Sequence, residues 1–159
     1  MISVTHLHAM FIHFPIALLM VGFLSEIIAL FSKKEFFSNA AFYLLLLGAL
    51  GAGAAYLTGS YSGEGIEEGP LKNPMELHEE AATVTLWLAI VTALFRSAIF
   101  YFKYNRIWVK WVGIVLFSAL VGSVARTGYL GGQLVYSHGA GVQLTLPDFN
   151  NTSDSDDDD

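Results

Sequence analysis

Five histidines stand out in a chain that is otherwise mostly apolar: His6, His8 and His13 near the start, His78 in the middle and His138 near the end. Imidazole is the commonest metal ligand and changes charge close to neutral pH. His13 follows His6 by seven residues, about two helical turns, so one helix covering both would carry them on one face. Arg96 follows His78 by eighteen residues, about five turns, and the face between them holds Ala82, Thr85, Ala89, Thr92 and Ala93. Similar small-residue stripes run through Gly48, Ala52, Ala55, Gly59 and Ser62, and through Ser118, Gly122, Ala125 and Tyr129 with Arg126 alongside. Such stripes let helices pack closely, and they also leave room for a flat porphyrin.

Two chemistries follow from these residue types. In the first, His13 and His78 are the axial ligands of a haem b iron, Arg126 pairs with a propionate and His138 folds back over the site. His6 and His8 then serve as alternative ligands or as supporting groups beside them. In the second, His6, His8, His78 and His138 hold Cu or Zn, although the lack of Met-rich or Cys ligands gives no reason to favour Cu(I). The plain alternative to both is a set of interfacial histidines bonded to backbone or water. Zero Cys excludes disulfides, thiolate metal sites, Cys-ligated iron–sulfur clusters, Cys nucleophiles and covalently attached c-type haem. No G-x-S-x-G, P-loop, H-E-x-x-H or dinucleotide fingerprint is present, so the expectation is an electron carrier or accessory protein rather than a stand-alone enzyme.

The elements that must position these groups are written in the composition. Hydrophobic residues make up 54% of 159 and charged residues only 14%, well below the ~25% of soluble domains. Mean hydropathy is +0.53. Four apolar runs, about 7–31, 40–61, 77–102 and 107–136, each reach the ~20 residues that cross a bilayer as a helix. Backbone in hydrocarbon must satisfy its own hydrogen bonds, and runs this long and continuous are helices rather than barrel strands. The expected fold is an all-α integral membrane four-helix bundle over residues 1–147, followed by a disordered acidic tail at 148–159. No Lys or Arg precedes the first run, which is too long for the apolar core of a cleaved signal. Pro15 implies either a helix that starts near His13 or a kink there.

The formal charge of −6 belongs to the tail, which holds six acids; residues 1–147 carry eight basic and eight acidic groups. Nucleic-acid binding needs a net basic face and is not expected. Lys33, Lys34, Arg96, Lys103, Arg106 and Lys110 gather at one end of the spans, and Glu64, Glu67, Glu68, Glu76, Glu79 and Glu80 at the other. By the Lys/Arg rule the basic end faces the cytoplasm. Both termini, and all five histidines, then face the outer side of a bacterial inner membrane. Glu26 and Arg96, both toward the inner end, are expected to form a structural ion pair. Trp87, at mid-span, is expected to pack inside.

The opening His6-Leu-His-Ala-Met-Phe-Ile-His-Phe-Pro-Ile-Ala-Leu18 and the closing Tyr129-Leu-Gly-Gly-Gln-Leu-Val-Tyr-Ser-His-Gly-Ala-Gly-Val142 resemble the two end motifs of a family of small four-span bacterial membrane proteins, the transmembrane "domain of unknown function 2231". The resemblance spans residues 5 to 145. It differs at Leu7 and Ala9, where the family often has proline. The resemblance implies that His6, His8, His13 and His138 are motif histidines and that His78 matches a position often occupied by histidine. Relatives joined to c-type cytochrome or Rieske modules fit a redox role. The expected partners are the lipid bilayer, a periplasmic cytochrome or other redox protein, and quinol, although no residue pattern marks a quinone site.

Overall fold

A computed structural model describes residues 4–32, 34–63, 69–104 and 106–141. Residues 64–68 of the acidic connection and the expected tail at 148–159 lie outside the described residues. Five helices follow in order: α1 (Val4–Phe11), α2 (His13–Ser32), α3 (Glu35–Gly63), α4 (Lys72–Phe102) and α5 (Ile107–His138). Four segments are long and apolar enough to cross a membrane, α1 and α2 together forming the first from His6 to Ser32.

Pro15 explains why regular helix is interrupted at Ile12. It cannot donate to the Phe11 carbonyl and its ring crowds that group, so regular helix stops at Phe11. Helix resumes at His13 with Pro15 in the first turn, where a missing N–H costs nothing. The first reading of the proline therefore holds: the main helix starts at His13, and a separate two-turn helix precedes it. Ile12 N–H still reaches the His8 carbonyl (3.1 Å) and Ile16 N–H the Ile12 carbonyl (3.4 Å) across the interruption. The third span begins at Lys72, five residues before the apolar run, because Pro74 is tolerated in a first turn. At the far end of α5, Gly139 takes φ +65° and its N–H closes onto the Leu134 and Val135 carbonyls.

The spans form a ring in which α2 packs on α3 and α5, and α4 packs on α3 and α5, while α1 lies against α3 and α2. Short antiparallel hairpins place the 33–34 and 103–106 connections at one end, and α1, the α3–α4 connection and the α5 C-terminus at the other. Leu19, Leu45, Ala89, Phe117 and Leu120 form the buried centre, and Phe23 meets Phe117 edge-on with centroids 5.5 Å apart. The glycine stripe of α3 seats the first span. Leu19 occupies the space a Gly48 side chain would need, its Cγ only 2.7 Å from where a Cβ would stand, and Pro15 sits against Gly51 in the same way at 3.3 Å.

The two other expectations about faces fare differently. The α4 stripe is interior: Thr85, Ala89 and Thr92 are buried. The α5 stripe is not, because Ser118, Gly122, Ala125, Arg126 and Tyr129 are all exposed, and a Cβ on Gly122 would meet nothing within 4 Å. Trp87 is also exposed, at 62%, and so faces the surroundings rather than the core. In a lipid-facing helix the apolar side is on every side, so hydrophobicity alone does not mark the interior.

Glu26 and Arg96 form the expected pair, across the bundle. Their helices, α2 and α4, are not neighbours in the ring. Arg96 Nη1 donates to Glu26 Oε1 at 2.9 Å and Nη2 to Oε2 at 2.7 Å, a bidentate fork with both side chains nearly buried. Gly113 on α5 leaves the guanidinium its room, since a Cβ there would stand 3.4 Å from Nη1.

Candidate functional site

At the opposite end, α1 lies along the C-terminal part of α3 and continues the register that sets Leu19 on Gly48 and Pro15 on Gly51. Half-buried His8 thereby meets Thr58, its Nδ1 3.2 Å from Thr58 Oγ1. Thr58 has one hydroxyl hydrogen, and it is directed at the Ala54 and Ala55 carbonyls, each at 3.0 Å. With that hydrogen on a carbonyl, the hydroxyl accepts from His8 Nδ1, and the lone pair is then on Nε2. The ring rests on Gly59, where a Cβ would stand 2.9 Å from His8 Cε1.

His78, in the second turn of α4, sits in the same way on α5. A Cβ on Gly131 would stand 3.1 Å from His78 Cε1. His78 Nδ1 is shielded and has no hydrogen-bond partner among the described residues. The Thr127 carbonyl lies beside the ring without closing a hydrogen bond to that nitrogen. His8 and His78 are close enough to interact electrostatically. Two imidazoles, from the first and third spans, thus lie at one end of the bundle, His8 on a glycine of the second span and His78 on a glycine of the fourth.

Two turns along the same face of α4, about 10 Å deeper, Thr85 links α4 to α5. Its Oγ1 lies 2.9 Å from the Ala81 carbonyl, 2.7 Å from Ser123 Oγ and 2.9 Å from Thr127 Oγ1, and Thr127 Oγ1 is also 3.0 Å from the Ser123 carbonyl. Three hydroxyl hydrogens serve these four contacts, so the cluster holds together in more than one hydrogen arrangement. Thr83 adds a bond from α4 to Tyr56 on α3, at 3.3 Å.

The remaining expected site residues lie elsewhere. His13 is exposed and its Nδ1 donates to the Ala9 carbonyl at 2.7 Å. His138 is exposed and its Nδ1 donates to the Gln133 carbonyl at 3.1 Å, tucked against the end of its own helix. Arg126 is exposed on α5, and His6 is exposed on α1. Among the described residues, no three His, Asp or Glu side chains converge, so the four-histidine metal set is not assembled. The imidazole brought to His78 is His8, a residue expected only as an alternative or supporting group. Thr58, Gly59, Thr127 and Gly131, which seat the pair, were not singled out as site residues. Their signal in the sequence is a register: with α4 and α5 antiparallel, Thr85 against Ser123 and Thr127 brings His78 level with Gly131.

Comparison with curated proteins and with solved structures finds no match. A family model described as "Predicted membrane protein (DUF2231)" matches residues 5–144, a stretch that takes in all five helices from Thr5 onward. It includes both motif ends and both imidazoles of the pair. The chain belongs to this family of predicted membrane proteins.

Proposed function

We propose that the protein is a membrane-embedded b-type haem electron-transfer protein whose iron is held between His8 and His78. The observation that carries this reading is that imidazoles from α1 and α4 lie at the same end of the bundle, each against a glycine of a neighbouring helix, with His8 Nδ1 at Thr58 and His78 Nδ1 shielded and without a hydrogen-bond partner among the described residues. A low-spin haem iron can be held by two axial imidazoles, whereas protein-bound zinc takes three or four protein ligands, so a pair suits the former. Thr58 fixes the His8 tautomer in the way that partners of metal-ligating histidines do. Gly59 and Gly131 let both rings lie close to neighbouring backbone. The haem would supply a one-electron couple, and the apolar bundle around it would tune the potential.

In this reading the histidine end faces the outer side of a bacterial cytoplasmic membrane, supported by the Lys and Arg residues gathered at the other end. Electrons would pass between membrane quinol and an external redox protein. Arg126 and His138 are exposed, and their place is at the rim rather than against the iron.

The test is a reduced-minus-oxidised visible spectrum of protein purified in mild detergent from a haem-replete host. A low-spin b-type signal that disappears in His8→Ala and in His78→Ala supports the reading. A colourless, helical protein overturns it, and metal analysis of that sample then separates a Cu or Zn protein from an accessory subunit of a larger complex.

A further inference from the structure

A groove of about 280 Å³ lies between the end of α4 and the start of α5, at the end of the bundle away from the histidines. Phe95, Ala98, Ile99 and Phe102 line it from α4, and Tyr104 and Trp108 from the far side; the lining is almost wholly carbon. Three cations lie close to its lining residues in sequence. Lys103 directly precedes Tyr104, Arg106 opens α5 two residues before Trp108, and Lys110 follows in the next half-turn. All three are exposed, and none has an ion-pair partner among the described residues. The sequence offers them little locally, since no Asp or Glu occurs between residues 81 and 147.

An apolar groove opening beside unneutralised cations, with Tyr104 and Trp108 at the level where aromatic side chains meet lipid headgroups, matches one amphiphile. We propose that this groove binds an anionic phospholipid of the leaflet that the α4–α5 connection faces, one acyl chain lying along α4 and the phosphate held by the Lys103, Arg106 and Lys110 cluster. The two halves of the site select different things. The carbon-lined groove requires a chain, so free phosphate does not occupy it. The cations require a net negative headgroup, so a zwitterionic lipid with the same chains binds less well. The site is independent of the histidine pair at the other end.

Native mass spectrometry of the full chain in mild detergent tests this with phosphatidylglycerol and phosphatidylcholine of identical acyl chains. Retention of phosphatidylglycerol is expected to exceed that of phosphatidylcholine by about tenfold or more. Replacing the three cations together (Lys103→Gln, Arg106→Gln, Lys110→Gln) changes only exposed side chains and should bring that ratio close to one. Ala98→Phe fills the groove and should lower retention of phosphatidylglycerol with the helical circular dichroism unchanged. Equal retention of the two lipids by the native chain overturns the proposal, as does a ratio that survives the triple substitution. Unchanged retention in a folded Ala98→Phe protein overturns it too.

Discussion

The two ends of this bundle solve the same problem in opposite ways. Toward one end, Glu26 and Arg96 put two charges into an apolar interior and satisfy them through a bidentate fork across the diagonal. Toward the other, His8 and His78 put two titratable rings into a half-buried setting, and the His78 Nδ1 is shielded with no partner among the described residues. A polar group without a partner costs stability, and in the proposed function that nitrogen belongs to a ligand site rather than to the framework. The ion pair is what structure needs from charge inside a membrane protein. The imidazole pair is what a ligand needs.

That contrast makes unequal demands on substitutions at the two ends. Arg96→Ala strands the Glu26 carboxylate and should cost about 3–5 kcal/mol, read as a lower midpoint of thermal unfolding in detergent. Replacing both partners by apolar residues of similar volume, Glu26→Leu with Arg96→Met, should recover most of that loss; a double variant as unstable as Arg96→Ala would mean the pair does more than cancel itself. Gly113→Leu crowds the guanidinium and should cost about 1–3 kcal/mol in the same assay. Thr85→Val removes the hydroxyl that joins α4 to Ser123 and Thr127, and about 0.6–1.7 kcal/mol should follow.

At the histidine end the expected order reverses, with little stability at stake and much ligand chemistry. His78→Leu breaks no hydrogen bond at Nδ1 and should shift stability by less than about 1 kcal/mol. A loss as large as that of Arg96→Ala would erase the distinction between the ends. Gly59→Ala is the finest probe. Its methyl displaces the His8 ring, so the visible spectrum of bound haem should move while the unfolding midpoint stays within about 1 kcal/mol of native.

The features legible in the sequence were those fixed by cost. Runs as long as 107–136 must be helices in hydrocarbon, Pro15 must interrupt or begin one, and Glu26 and Arg96 must find each other because neither has a cheaper partner at that depth. The features that escaped depend on which way a helix faces. Ser118, Gly122, Ala125 and Tyr129 look like an interior stripe, yet they are exposed, while Ser123, Thr127 and Gly131 on the same helix face α4. Trp87 misled for the same reason. The site partner was hidden by register: His8 meets Thr58 and Gly59 in the same antiparallel register that sets Leu19 on Gly48 and Pro15 on Gly51, whereas His6 and His13 are exposed.

In the proposed function His8, and not the exposed His13, completes the pair with His78. Haem content per chain, measured as the pyridine haemochromogen of the native protein and of His8→Ala, His13→Ala and His78→Ala, tests it directly. The account predicts about one haem per chain in the native and His13→Ala proteins and almost none in the other two. Haem absent from the native protein, or lost in His13→Ala and kept in His8→Ala, would contradict it.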